Sequence, residues 1–171
     1  MAILKIVKSP ENSNQSSYIS EKIRYILQPK KIEHGFYGGC GFLLGDIKSI
    51  IYQFYKVREL CNKPHGIQLR HLVLSFSKDY REYITPYQAG CIAHEICNFF
   101  YPMYQCIYAI HEDTAYVHAH ILINTVNVDT GKLLDMNKAF CNSLEEEITF
   151  LVKLYGQRFL KYPMKLIVVY E

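Results

Sequence analysis

Three histidines in the middle of the chain have the spacing of a metal site. His118 and His120 are two residues apart in YVHAHILINTVN, a largely apolar run that predicts a β-strand from Tyr116 to Asn127. Side chains alternate across a strand, so both imidazoles lie on one face, and the opposite face is wholly apolar. If a short turn at 114–115 joins this strand to the preceding one, CIYAIHED, then His111 lies directly opposite His118. We therefore expect three imidazoles on one patch of sheet.

Three neutral imidazoles can bind a divalent metal ion and leave positions open for water or a substrate oxygen. We expect Mn²⁺ or Mg²⁺, and Zn²⁺, Co²⁺ or Ni²⁺ fits the same residues. The carboxylate of Glu112 or Asp113 could orient a ligating ring. A single histidine on a strand is more often a hydrogen-bonded structural residue, so the hypothesis needs all three. It also depends on the hairpin register, because a slip of one residue turns His111 to the other face.

Length and composition restrict the class of protein. With 171 residues, half of them hydrophobic, the chain predicts a single globular domain spanning residues 1–171. Residues 1–70 contain 11 Lys and Arg against 5 Asp and Glu, whereas residues 71–171 contain 8 against 11. This asymmetry suggests a polyanion that contacts one side of the fold. Ordinary solvated charges would give the same pattern.

The cysteines and the apolar segments indicate where in the cell the protein is expected. The 6 cysteines are irregularly spaced and form no CxxC pair, and the amino terminus lacks the apolar segment of a secretion signal. No apolar stretch reaches the ~18 residues of a membrane span. We expect a cytoplasmic protein with reduced thiols and no membrane insertion.

The remaining pattern predicts the elements that must position the histidines. Strands are expected at MAILKIVK, at QLRHLVLSFS, at the two histidine-bearing segments and at KLIVVY. Helices are expected at about 18–28, 46–61, 85–100 and 139–160. The Gly-rich segment 35–45 is expected to be a loop, and it lacks the spacing of a phosphate-binding loop. This order predicts an α+β fold in which helices flank a mainly antiparallel central sheet of about five strands.

Tyr25 is a candidate nucleophile on the first predicted helix. Four aliphatic residues of that helix follow the spacing of a buried stripe: Ile19, Ile23, Ile26 and Leu27. At about 100° per residue, Tyr25 lies some 120° from the centre of that stripe, so it is not expected in the core. A surface aromatic packed on a loop would have the same position. Four basic residues around it could contact phosphates or be solvated helix-end charges: Lys22, Arg24, Lys30 and Lys31.

The segment from His111 to Gly131, HEDTAYVHAHILINTVNVDTG, resembles the third motif of relaxases. These are the mobilization nucleases (VirD2/MobA-like) of the HUH class of single-strand endonucleases, named for a paired-histidine motif. The family pattern is His, any residue, Asp, a short gap, His-any-His and a hydrophobic run ending in Asn. Here it is matched by His111, Asp113, His118, His120 and Asn124.

Other segments extend the resemblance to about residues 18–138. RHLVLSF resembles the second family motif, and YREYITPYQA resembles the acidic Thr-Pro segment that follows it. The stretch YGGCGF is similar to its counterpart before the first long helix. Tyr116 departs from the pattern, because many members have a further histidine at its place.

The resemblance implies a DNA-nicking and strand-transfer enzyme with an HUH-type palm. Relaxases carry a catalytic tyrosine in a segment similar to EKIRYILQPKK, which implies that Tyr25 attacks a phosphodiester of single-stranded or origin-of-transfer DNA. A 5′-phosphotyrosine would form and a free 3′-hydroxyl would leave. The metal on the three histidines would bind the scissile phosphate, with Asp113 and Asn124 around its ligands. Relaxosome accessory proteins and secretion-coupling proteins are the implied protein partners.

The proton on the nucleophile needs an acceptor. A phenol is mostly protonated at neutral pH, so attack requires a base or cationic help. The candidates are Glu82, His71 and a metal-polarised water. His71 lies on a predicted strand, where a structural role is an equal alternative.

Two other functions fit the sequence. A small HUH-class transposase would carry its tyrosine on a late helix, for which Tyr155 is the candidate. The short chain favours a transposase, but the spacing from His111 to His118 opposes it. A non-catalytic accessory protein, stabilised by metal, would retain DNA without forming a covalent adduct.

Overall fold

Six strands and four helices form the part of the chain that the computed structural model describes, residues 1–7, 17–32, 34–77, 84–160 and 164–170. In chain order they are β1 (Ala2–Val7), α1 (Tyr18–Ile26), β2 (Tyr37–Cys40), α2 (Ile47–Leu60), β3 (Leu69–Phe76), α3 (Pro86–Phe100), β4 (Cys106–His111), β5 (His118–Asn124), α4 (Lys138–Leu160) and β6 (Leu166–Tyr170).

The strands make one sheet in the order β2-β4-β5-β3-β1-β6. All neighbouring strands are antiparallel except β1 and β6, which are parallel. The predicted α+β fold with a mainly antiparallel sheet is therefore confirmed. The histidine-bearing strands β4 and β5 lie next to each other near the middle of the sheet, where both have partners on each side.

Strand β2 corrects the expectation of a Gly-rich loop. Its residues Tyr37–Cys40 pair antiparallel with β4, so the loop prediction was wrong over these positions. Glycine is unfavourable in strands, and two of these four residues are glycines, so propensity pointed to a loop. The fold instead uses the missing side chain: a Cβ on Gly39 would collide with the carbonyl oxygen of Cys106.

Helices cover both faces of the sheet. α1 and α2 pack on the face that carries Ile107 and Leu122, and the aliphatic stripe predicted for α1 is buried there. α3 and α4 pack on the opposite face, over Ile121 and Ile123 of β5. The face of β5 that carries the imidazoles is therefore not an open surface. Over half of the strand's length, α1 and α2 cover this face and form a second hydrophobic core with it.

Two further observations concern the cysteines and the helices. The 6 cysteines form no disulfide bond in this structure, and their reduced state in the cell stays a prediction. None of the described helices contains a stretch long and apolar enough to cross a bilayer. The cytoplasmic location stays a prediction.

Replacing Gly39 with alanine should destabilise the fold, because β2 and β4 would have to move apart. We expect a loss of roughly 1–3 kcal/mol in the free energy of unfolding, which is typical of overpacking, measured by urea denaturation. Gly45→Ala is the matched control, since its added Cβ would meet only the Ser49 side chain, at 3.5 Å. Equal stability of the two variants would contradict the close approach of β2 to β4.

Candidate active site

The β4–β5 hairpin brings the three histidines of the sequence pattern together. His111 is the register partner of His118, and His120 lies two residues further along β5. One ligand nitrogen from each of the three rings lies within 4.8 Å of the others. We call His111, His118 and His120 the histidine triad. The convergence expected from strand alternation and hairpin register is therefore present.

Each ring of the triad has one nitrogen held by a neighbour. Nε2 of His111 donates to the carbonyl oxygen of Ile26 at 2.9 Å, and Nδ1 of His118 donates to that of Tyr116 at 3.0 Å. Nδ1 of His120 lies 2.8 Å from Nε2 of His71. A carbonyl oxygen can only accept, so it fixes the tautomer of the neutral ring and leaves a lone pair on the opposite nitrogen.

Two of the three opposite nitrogens have no protein partner, and the third faces a carboxylate. Among the described residues, Nδ1 of His111 and Nε2 of His120 are buried and make no hydrogen bond. Nε2 of His118 lies 3.9 Å from a carboxylate oxygen of Asp113. Buried polar atoms without partners are costly and rare. A divalent cation among these nitrogens would satisfy all three lone pairs, so the triad fits a metal.

The protonation of the triad also fits a metal. Burial lowers the pKa of His111, and burial together with the neighbouring histidines lowers the pKa of His120 to about 2. Both rings are therefore neutral at physiological pH. Only the neutral imidazole can ligate a metal, so His111 and His120 can bind one without first releasing protons.

Tyr25 lies beside the triad on the last turn of α1. Its ring centroid is 5.8 Å from that of His111 and 5.7 Å from that of His120, and the residue is 39% exposed. The next residue, Ile26, supplies the carbonyl that holds His111. The end of α1 is thus attached directly to the triad, and this attachment keeps Tyr25 next to it.

Lys31 and Asp113 complete the surroundings of Tyr25. Nζ of Lys31 lies 4.0 Å from the centroid of the Tyr25 ring and 3.5 Å from a carboxylate oxygen of Asp113. Burial acts to lower the pKa of Lys31, but the hydrogen bonds and charges of Tyr25 and Asp113 outweigh it and raise that pKa. Lys31 therefore stays cationic next to the phenol. Sequence reasoning grouped it with the other basic residues as a general phosphate contact.

The other three basic residues of that group lie on or just after α1. Arg24 is exposed, and its Nε donates to the hydroxyl of Ser20 at 3.2 Å. Nζ of Lys22 lies 5.6 Å from the centroid of the Tyr18 ring, and Lys30 is exposed. All three remain candidates for phosphate contacts.

His71, a candidate base, contacts the triad and not the nucleophile. Within the described residues its ring packs against His120, with centroids 5.1 Å apart, and no ring contact to Tyr25 is present. Burial lowers the pKa of His71 to about 4, so the ring is neutral and can accept a hydrogen bond from Nδ1 of His120. This geometry favours a positioning role over proton transfer from Tyr25. Glu82, the other candidate side chain, lies outside the described residues.

Asn124 lies on the same face of β5 as the histidines, but at the end that α2 covers. The side chain is fully buried beneath α2, where it donates to the carbonyl oxygen of Phe54 at 3.0 Å and to Gln105 at 2.8 Å. It also accepts from the buried guanidinium of Arg58 at 3.4 Å. The expectation that Asn124 surrounds the metal ligands was therefore wrong, because α2 covers this end of the histidine-bearing face.

Two further expectations are corrected. Glu112 does not orient a triad ring: its carboxylate holds Nδ1 of His34 at 2.7 Å, because alternation along β4 points it away from His111. Tyr155 lies in the core formed by α3 and α4, on the face opposite the triad, and its hydroxyl donates to Glu95. The transposase arrangement with Tyr155 as nucleophile is therefore excluded. The pairing of His34 with Glu112 had no signal in the sequence.

A comparison with models of protein families shows which family the chain belongs to. The family model described as "Relaxase: MobA/VirD2-like, nuclease domain" matches residues 18–156. The chain belongs to the MobA/VirD2-like relaxase family. The relaxase nuclease domain thus includes the triad, Tyr25 and the elements that hold them.

Several proteins are similar to this relaxase domain. It is 29% identical over 101 residues to the protein rlx of Staphylococcus aureus, covering 59% of this chain and 30% of that protein. It is 35% identical over 78 residues to the group II intron-interrupted relaxase LtrB of Lactococcus lactis subsp. cremoris, covering 45% of this chain and 14% of that relaxase. The chain thus spans less than a third of the length of either relative.

A solved structure has the same fold. The structure described as "Molecular Basis of Vancomycin Resistance Transfer in Staphylococcus aureus" aligns with a TM-score of 0.59 at 10% identity, over 86% of this chain and 89% of the other. This similarity confirms the α+β architecture and, at such low identity, concerns the fold alone.

Acid should destabilise the metal-free relaxase domain. His71 and His120 have pKa values of about 4 and about 2 in the folded state, against 6.5 for an ordinary histidine. Below pH 6.5 the unfolded chain therefore binds more protons than the folded one, and stability present above pH 6.5 is lost as the pH falls toward 4. His71 alone would account for at most about 3 kcal/mol.

Urea denaturation in the presence of a chelator, between pH 7 and 4.5, measures this effect. His71→Gln should weaken the dependence without abolishing it, because glutamine does not titrate whereas His120 still contributes. His65→Gln, at an exposed position away from the triad, should retain it. Identical pH profiles for the native protein and His71→Gln would contradict the assignment.

Proposed function

We propose that this domain nicks single-stranded origin DNA and holds the cut strand as a phosphotyrosine at Tyr25, in a metal-dependent reaction. One observation carries the proposal: the ring of Tyr25 lies 5.7–5.8 Å from two imidazoles of the triad, and the free nitrogens of the triad converge. A nucleophile next to a site that can hold a phosphate is the arrangement that phosphoryl transfer needs.

The covalent step exchanges one ester for another. The hydroxyl oxygen of Tyr25 attacks the scissile phosphorus, the bond from phosphorus to the 3′-oxygen breaks, and the 3′-oxygen takes up a proton and leaves. A divalent ion on the triad would supply positive charge that neutralises the non-bridging phosphate oxygens. Lys31, held by Asp113 over the ring, stabilises the negative charge of the phenolate as its proton departs. Glu82 stays a prediction for the acceptor of that proton.

His71 has a supporting role in this proposal. The neutral ring of His71 accepts a hydrogen bond from the Nδ1–H group of His120. The lone pair of Nε2 of His120 is therefore free to bind a metal ion. Partners of this kind fix the orientation and tautomer of metal-ligating histidines. Three imidazole ligands suit Mn²⁺ better than Mg²⁺, which prefers oxygen ligands. Co²⁺, Ni²⁺ and Zn²⁺ would bind the same ligands more tightly than Mn²⁺.

The wider assignment extends to the DNA and to other proteins. Lys22, Arg24 and Lys30 would contact phosphates of the strand that leads to Tyr25. The substrate would be the origin-of-transfer DNA of a conjugative or mobilizable element, and relaxosome accessory proteins and secretion-coupling proteins would be the partners, in the cytoplasm. We also propose that residues 1–171 act as one nuclease domain.

Tyr25→Phe should abolish covalent attachment to DNA, because the attacking oxygen is gone while the ring and the fold remain. The assay incubates the protein with Mn²⁺ and labelled single strands containing the nick site of its element, and detects a denaturant-resistant protein–DNA band. Tyr116→Phe is the control, since Tyr116 is also an exposed tyrosine near the triad. A band that survives in Tyr25→Phe would exclude Tyr25. DNA retention with no band in the native protein would indicate the non-catalytic accessory protein.

His118→Gln should remove metal binding with little loss of fold, because His118 is only half-buried. We expect the dissociation constant for Mn²⁺, measured by calorimetric titration, to increase at least about tenfold, in the range seen when residues around a metal site are changed. His34→Gln changes a histidine outside the triad and should bind Mn²⁺ as the native protein does. Equal affinities in the two variants would show that the ion does not use the triad.

A further inference from the structure

We propose that a second pocket, on the face of the sheet opposite the triad, binds an unstacked base of the same DNA strand. This inference rests on the proposed function and adds a substrate contact to it. The pocket has a volume of about 320 Å³, and we call it the aromatic pocket. Its walls include Phe36, Tyr87, Cys91, His94, Tyr108 and Tyr155.

The rings of the aromatic pocket come from α3, β4, α4 and the residue just before β2. Tyr87 lies in the first turn of α3, is 63% exposed and meets the ring of Phe36 edge-on, with centroids 6.1 Å apart. Tyr108 stands on β4 opposite Gly38, where a Cβ would come within 2.8 Å of the Tyr108 hydroxyl. Because residue 38 is glycine, there is room for the Tyr108 ring to form part of the pocket wall. Aromatic side chains of this kind provide stacking surfaces for bases of single-stranded DNA.

Polar groups on the pocket wall match the edge of a base. The carboxylate of Glu95 accepts hydrogen bonds from Tyr155 at 3.4 Å and from Asn98 at 3.2 Å. Burial raises the pKa of Tyr108 to about 12, so its hydroxyl remains a donor. A carboxylate acceptor suits the exocyclic amino group of cytosine or adenine. The same negative charge disfavours a phosphate inside the pocket, so a base attached to a strand fits better than a free phosphate.

A series of contacts connects the surroundings of Tyr25 with the aromatic pocket. Lys31 lies over the Tyr25 ring, and its carbonyl oxygen accepts from the backbone N–H of Glu112 at 2.9 Å. Glu112 in turn holds His34, whose ring stacks on Phe36 at 6.2 Å with an angle of 25° between the planes. Phe36 then contacts Tyr87.

The segment that leads from Lys31, beside Tyr25, to the aromatic pocket is short. From Lys31 to Gly35, the first residue that lines the pocket, four residues can span at most about 14 Å. β2, at the outer edge of the sheet, separates the two faces here. A single strand that crosses this edge can therefore place its phosphate at Tyr25 and a nearby base in the aromatic pocket.

Fluorescence anisotropy with a labelled deoxyadenosine oligonucleotide, in a chelator so that no cleavage occurs, tests the pocket. Tyr87→Ala should weaken binding about 5- to 150-fold, the range for losing one base–aromatic stack. The salt dependence should not change, because no phosphate contact is lost. Tyr87→Phe keeps the ring and should bind as the native protein does. Tyr52→Ala removes an equally exposed tyrosine, 62% exposed on α2 and outside the pocket, and should also bind normally.

A second measurement shows whether the base binds in the aromatic pocket. With 2-aminopurine in the oligonucleotide, stacking in the pocket should quench its fluorescence on binding, and Tyr87→Ala should relieve the quenching. If Tyr87→Ala binds as Tyr52→Ala does, the pocket proposal is overturned even where Tyr25 forms an adduct. If Tyr87→Ala alone loses affinity, the pocket stands even where no adduct forms, and the proposed chemistry at Tyr25 fails separately.

Discussion

The site depends on hydrogen bonds that hold one nitrogen of each triad imidazole and leave the other free. His111 and His118 are held by backbone carbonyls, which cannot donate and therefore force the ring N–H toward themselves. His120 is held by His71, a side chain that is kept neutral by burial. Three lone pairs then converge, and those of His111 and His120 are buried with no partner among the described residues. The fold maintains this arrangement, and a bound cation is the simplest way to satisfy it.

The same hydrogen bonds connect the histidine triad with Tyr25. The carbonyl that holds His111 belongs to Ile26, the neighbour of Tyr25 at the end of α1. Ile23 and Ile26 are fully buried between this helix and the sheet, so α1 cannot rotate without breaking its core. Lys31 follows the helix and returns to Asp113 on the hairpin. Tyr25, Lys31 and the triad are therefore positioned by one short segment of chain and one hairpin.

The sequence predicted the parts of the site that follow from strand alternation and helix periodicity. His111 and His118 had to be opposite each other once the turn was placed at 114–115, and Tyr25 had to leave the core once the aliphatic stripe of α1 was assigned. Neither pattern reports how far a helix extends over a strand, so Asn124 was assigned to the site although α2 buries it. Propensity likewise misled at Gly38 and Gly39, where close packing between strands requires glycine.

Anomalous diffraction from crystals of the native protein soaked in Mn²⁺ tests the central claim most directly, because it locates the ion and the rings together. We expect one manganese peak within bonding distance of Nδ1 of His111, Nε2 of His118 and Nε2 of His120, with the opposite nitrogens still bonded to Ile26, Tyr116 and His71. A manganese ion held by other residues, or rings turned so that these nitrogens point apart, would contradict the account.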